Sequence, residues 1–280
     1  MATHWGVKHD VLCVGKDSTY EFIFGVLDEL CEMFPDRIIH IGGDEVPKMR
    51  WEICPECQRK KEENNLKGNE ELQQYFMTVI ADYLDKKGYQ ALMWNWDSVE
   101  PTKLLSKKLG WTLCGYDEKT KPTVESELIN GRKMISTKAM EYYLDMPYGY
   151  VNLKKCCEYN PEEFFSSGSE NFLGVEAALW TEMIPNVKKA DFMTFPRLAA
   201  ISNTAWHGFE SGMYESLTAA LSDYFKLLDF YSYYHAKKSS FDMTMPKAKF
   251  SGLWFERRQL YWEGLHNLID DNKVKRKYGK

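Results

Sequence analysis

Between residues 18 and 34 the apolar positions Phe22, Val26, Leu27, Leu30, Met33 and Phe34 fall at helical spacing, after a capping-box pattern from Ser18 to Glu21. Pro35 and Asp36 end that pattern, and the run RIIHIG over 37–42 is mostly apolar with paired isoleucines, as in a strand buried on both faces. The two together predict an αβ unit. The alternation then repeats, with a helix over 70–87, a strand over 91–96, a short helix over 102–107 and strands over 111–114, 133–136 and 173–178, followed by a helix from about Phe195. Strands that alternate with helices imply a parallel sheet. Residues 217–234 and 253–268 keep helical periodicity without a strand and are expected to pack outside that sheet. No internal repeat or low-complexity linker divides the chain, so one domain is expected over 1–280, with barrel units to about 210 and a helical part over 211–280.

Composition narrows the class. Apolar residues at 44% and charged residues at 28% are ordinary for a folded domain, and nowhere do 18 apolar residues run together. A net charge of -5 gives no electrostatic reason to expect nucleic acid, and the basic run near Lys273 to Lys280 reads as a solvated tail. The opening residues lack the apolar core of a signal peptide. Seven cysteines show no disulfide framework. Cys54 and Cys57 form a CPEC pair, but no second CxxC or HxxxH follows, so a local bridge or free thiols are expected rather than zinc, and no metal or cofactor is assigned. Aromatic residues make 15% of the chain, enough to line a core and still offer flat apolar faces to a ligand.

The polar and aromatic clusters recur at or just beyond the predicted strand ends: Asp44 and Glu45, Trp96 and Asp97, Tyr143 and Asp145, Trp180 and Glu182. In a parallel α/β barrel that rim is where successive strands deliver side chains to one pocket. Gly42 and Gly43 precede the acidic pair and permit a backbone kink, without which adjacent residues of a strand point to opposite faces. Two carboxylates sharing one cavity resist joint ionisation, which raises one pKa and makes that group a candidate proton donor. Taken without its surroundings, the pair reads equally as a helix cap with a solvated neighbour.

HIGGDEVPK over 40–48 resembles the signature of glycoside hydrolase family 20, the β-N-acetylhexosaminidases. NWD over 95–97 is similar to the family's GWDE, YYLD over 142–145 to its YLD, and GVEAALWTE over 174–182 to its GxQxxxWTE; FPR over 195–197 and Trp206 follow in the family's order. The resemblance implies a (β/α)8 TIM-barrel type of α/β fold, with only about the last five βα units in this chain. It also implies a substrate-assisted retaining mechanism without a cofactor, acting on terminal β-linked N-acetylhexosamine of glycans or glycoconjugates. Carried over, Glu45 is the acid and base, Asp44 orients the 2-acetamido group, and Tyr143 hydrogen-bonds its carbonyl. Trp96 and Trp180 wall the sugar site, Asp145 and Glu182 accept from sugar hydroxyls, and His40 supports the acidic pair from behind.

Departures from the family pattern are Ser98 for the last residue of GWDE, Glu176 for a Gln, Asn203 for a Glu, and Cys114 where a Trp is usual, which leaves one pocket wall open. No counterpart of the family's early arginine or PGH segment precedes the signature. A missing N-terminal segment or a homo-oligomer is therefore expected, and the family's secreted, periplasmic or lysosomal settings are expected for a longer form. The competing expectation is an inactive fragment or a carbohydrate-binding protein of the same lineage.

Overall fold

The computed structural model describes residues 6–95, 103–116, 118–162 and 169–259, with a few isolated positions beyond. Helix α1 spans Asp17–Met33 and leads into the short strand β1, Ile38–His40. Two helices follow, α2 at Met49–Ile53 and α3 at Pro55–Glu63, before the long α4, Asn69–Lys86, and strand β2, Gln90–Trp94. Strand β3 is Leu109–Leu113, helix α5 Lys121–Ile129 and strand β4 Met134–Ser136. Helices α6, Ala139–Tyr142, and α7, Leu153–Glu158, come before strand β5, Phe172–Val175. The chain then runs through α8, Val187–Thr194, α9, Arg197–His207, α10, Met213–Phe230, α11, Lys238–Phe241, and α12, Met245–Gln259.

The strands lie in the order β1-β2-β3-β4-β5, each beside its neighbour in sequence. β1 pairs with β2 in parallel, Ile39 opposite Ala91, and β2 with β3, Met93 opposite Trp111. Parallel strands that alternate along the chain with helices, as β1 and β2 do across α2 to α4 and β3 and β4 across α5, make this an α/β fold of the barrel type expected from the alternation.

The chain resolves into two compact units. The first holds the described residues of Met1–Met134 with Glu170–Phe172, and the second those of Ile135–Ser169 and Leu173–Tyr261. In the first, α4 buries Leu72, Phe76, Ile80 and Leu84 along one stripe, carries Glu70 and Glu71 in its first turn and Lys86 in its last, and breaks at Gly88 with φ +79°. Each feature favours a helix of that length and polarity. β3 is buried along its whole length, and behind it Arg132 sits fully buried over the Trp111 ring, donating to Glu127 at 2.7 Å and to the Ser106 carbonyl at 3.0 Å. In the second unit, α7, α9 and α10 close over Tyr142, Leu144, Leu153, Cys156, Ile201 and Leu221.

Several expectations need correction. α1 starts at Asp17, with Lys16 at the cap and no side-chain cap bond, so the Ser18 to Glu21 box is not used. Its inward stripe is Tyr20 and Leu27, with Phe24 stacked on Tyr83 at 3.9 Å, while Phe22, Val26 and Met33 are exposed. Apolar residues occupy two faces of this helix, and only one is covered. β1 is not buried on both faces either: Ile39 is buried, Ile38 and His40 are exposed, and the strand forms an edge of the sheet. Residues 103–107 form a turn rather than a helix, and the end of the predicted helix over 253–268 lies outside the described residues. Among the described residues no helix is long and apolar enough to cross a membrane.

Candidate active site

β1 ends at His40, and the chain leaves the sheet through Gly42 at φ +71° and Gly43 at φ +97°. The left-handed conformation suits glycine, and here it turns the backbone so that Asp44 and Glu45 follow a kink instead of a strand. Gly43 has a second reason to lack a side chain, since a Cβ there would lie 2.7 Å from Met77 Cε. The kink is held from three directions. His40 Nδ1 accepts from the Gly42 N–H at 3.1 Å, the Gly42 carbonyl accepts from Trp94 N–H at 3.0 Å, and the Gly43 carbonyl accepts from Gln73 Nε2 at 2.7 Å.

Accepting at Nδ1 requires a His40 ring without a proton there. Although the side chain is open to solvent along one edge, desolvation by the surrounding protein lowers its pKa to about 4 and keeps the ring neutral. Its ring packs against Trp94 at 4.8 Å. Asp44 is half-buried, Glu45 is exposed, and Glu45 itself adopts φ +50°. For a residue with a Cβ that conformation costs about 1–2 kcal/mol. Trp96 and Asp97 lie outside the described residues; the preceding Asn95 is fully buried and ties the end of β2 to the end of β3, donating to the Gly115 carbonyl at 2.9 Å and accepting from Cys114 N–H at 2.9 Å. Trp111 is fully buried under Arg132 and offers no ring face to a ligand, and Cys114, also buried, has no ring to offer.

In the second unit the YYLD and GVEAALW segments pair. Tyr143 and Ala178 form a parallel bridge, and the Leu144 N–H donates to the Ala178 carbonyl at 2.7 Å. This pairing brings three predicted residues together: Tyr143 and Trp180 meet edge to face at 5.9 Å, and the Trp180 N–H reaches Asp145 Oδ1 at 3.4 Å. Burial pushes the Asp145 carboxyl up to about 6, with the nearby negative charge of Glu182 adding to the effect and the Trp180 N–H and Arg197 opposing it.

Arg197 explains how the Asp145 segment is held. Its guanidinium, fully buried, donates to the carbonyls of Met146 and Val151 at 2.8 Å each and also to that of Leu144, and it lies 4.1 Å over the Tyr148 ring. The FPR motif at 195–197 thus supplies a strut, a role that a motif match alone does not reveal.

Parallel strands whose C-terminal ends carry carboxylates and aromatic rings are the architecture of the barrel-type glycoside hydrolases. Residues 1–209 match the model of glycosyl hydrolase family 20, catalytic domain, and the chain belongs to that family. It is 32% identical over 215 residues to a β-hexosaminidase of Porphyromonas gingivalis, an alignment that covers 72% of this chain and 27% of that protein. It is 27% identical to a β-hexosaminidase of Akkermansia muciniphila over 78% of this chain and 46% of the relative. The chain therefore spans less than half the length of these relatives. Among solved structures, the family 20 exo-β-N-acetylglucosaminidase of Vibrio harveyi in complex with N-acetylglucosamine superposes with a TM-score of 0.71 at 27% identity, covering 81% of this chain and 37% of that one.

Proposed function

We propose that this chain carries the reacting carboxylates of a retaining β-N-acetylhexosaminidase that removes terminal GlcNAc or GalNAc by substrate-assisted catalysis. The observation that carries this reading is the glycine kink after β1, which takes Asp44 and Glu45 off the strand in a chain of this family. Glu45, the more exposed of the two, protonates the departing glycosidic oxygen and later removes a proton from the attacking water. Asp44 orients the substrate's 2-acetamido nitrogen and stabilises its developing positive charge while the acetamido oxygen attacks the anomeric carbon. Tyr143 donates to that oxygen, Trp180 and Trp96 give apolar faces to the sugar and its methyl group, and Asp145 and Glu182 accept from hydroxyls. His40, neutral and bonded to the Gly42 N–H, supports the kink that aims the pair.

The test is hydrolysis of a chromogenic β-GlcNAc substrate by the purified 280-residue chain, with Glu45→Gln beside it. Turnover that disappears in the variant supports the assignment. A folded chain that binds GlcNAc without hydrolysing it overturns the catalytic reading in favour of a carbohydrate-binding one.

A further inference from the structure

Three sulfur atoms converge in the first unit, far from one another in sequence. Cys13 Sγ lies 3.5 Å from Cys54 Sγ and 3.7 Å from Cys57 Sγ, and all three fall within 4.8 Å of one another. A disulfide would bring two sulfurs to ~2.05 Å. Thiolates on a tetrahedral zinc, each ~2.3 Å from the metal, stand about 3.8 Å apart. The two closer separations match metal ligation.

The surroundings are built to hold the sulfurs in place. Cys54 immediately precedes α3, so the N–H groups at the start of that helix, those of Glu56 and Cys57, lie on the side of its sulfur, and the Gly15 N–H lies near that of Cys57. Backbone N–H dipoles placed this way favour sulfur carrying negative charge. The segment bearing Cys13 can approach the CPEC turn only because Gly15 has no side chain: a Cβ there would stand 2.1 Å from the Glu56 carbonyl carbon. Each carbonyl along that segment is fixed by a different side chain. Trp51 Nε1 donates to Leu12 at 2.9 Å, Thr19 Oγ1 to Cys13 at 2.7 Å, and the Tyr20 hydroxyl to Val14 at 2.8 Å. Val14 and Cys57 are fully buried.

We propose that Cys13, Cys54 and Cys57 form a trithiolate site for a soft divalent cation of the zinc class, with the fourth position taken by water or an added ligand. Binding releases three thiol protons and leaves the centre with one net negative charge. The ion acts structurally. It staples the segment before α1 to the segment that follows the Asp44 and Glu45 kink, and so braces the exit of β1. The donor set is all sulfur, which selects zinc and its congeners over calcium or magnesium.

The decisive experiment measures metal in the reduced 280-residue chain by mass spectrometry, before and after titration with zinc, and then replaces zinc with cobalt. The expected result is one zinc per chain and a cobalt spectrum with sulfur-to-metal charge-transfer absorption, both lost in Cys13→Ser and kept in Cys31→Ser. Chelation is expected to lower the Tm of the wild type and of Cys31→Ser and to leave Cys13→Ser unmoved. A folded, reduced wild type that takes up neither metal overturns the proposal, as does cobalt binding without charge-transfer absorption or a mapped disulfide joining two of the three cysteines. Because the wild-type titration stands alone, failure of a variant to fold does not rescue or sink it.

Discussion

Asp145 stands in the second unit with its carboxyl pKa pushed up to about 6 by burial, against ~3.9 for the same group in an unfolded chain. The folded protein therefore binds this proton more tightly than the unfolded chain does, so ionised Asp145 costs stability above pH 6 and that cost fades as pH falls towards 4. Asp145→Asn is expected to be more stable than the wild type to urea at pH 7.5, with the difference shrinking at pH 4.5; equal midpoints at both pH values would contradict the burial effect. In the role proposed for it, accepting from a sugar hydroxyl, the group works best ionised. KM for a β-GlcNAc substrate should then rise as pH drops through about 6 in the wild type and stay high and flat in the variant. The kink that precedes Asp44 and Glu45 was legible in the sequence because its geometry is local, two glycines followed by two carboxylates. Cys13 was not, since it meets Cys54 across 41 residues and no spacing rule links a lone cysteine to a CPEC turn.

Among the elements, the segment between α6 and α7 has little regular hydrogen bonding of its own and takes its shape from the first residue of α9. Arg197 supplies donors to the carbonyls of Leu144, Met146 and Val151 that burial would otherwise leave unpaired. Arg197→Met keeps most of the volume and removes every donor, and is expected to cost about 1–3 kcal/mol for each buried carbonyl left unpaired, read by chemical denaturation. Arg197→Lys, with three donors on a flexible stem, should recover only part of that loss. Strand existence was readable from apolar runs, and β2, β3, β4 and β5 all lie within a few residues of expectation. What the pattern could not give was the burial of β1, because paired isoleucines describe a strand's affinity for a core without saying whether a neighbour covers it. The two-faced α1 failed for the same reason: a list of apolar positions at helical spacing does not choose between stripes.

At the scale of the whole molecule, those two features coincide in one stretch of chain. Phe22, Val26 and Met33 on α1 are exposed, and so is Ile38 on the edge strand β1 that follows, each a feature that favours association between chains. Phe22→Glu combined with Val26→Glu is expected to reduce concentration-dependent light scattering while leaving the circular dichroism spectrum unchanged; scattering as strong as in the wild type would mean that this face stays solvated. The overall class, parallel α/β, followed from the alternation of elements, whereas the division into two compact units left no mark on composition or linkers. Folding stability is also a quantity of the whole chain, and the left-handed backbone at Glu45 draws on it locally. A library of this gene selected for heat resistance alone would drift at that codon towards glycine or asparagine, and one selected for turnover would hold the glutamate and collect its compensating substitutions elsewhere in the core.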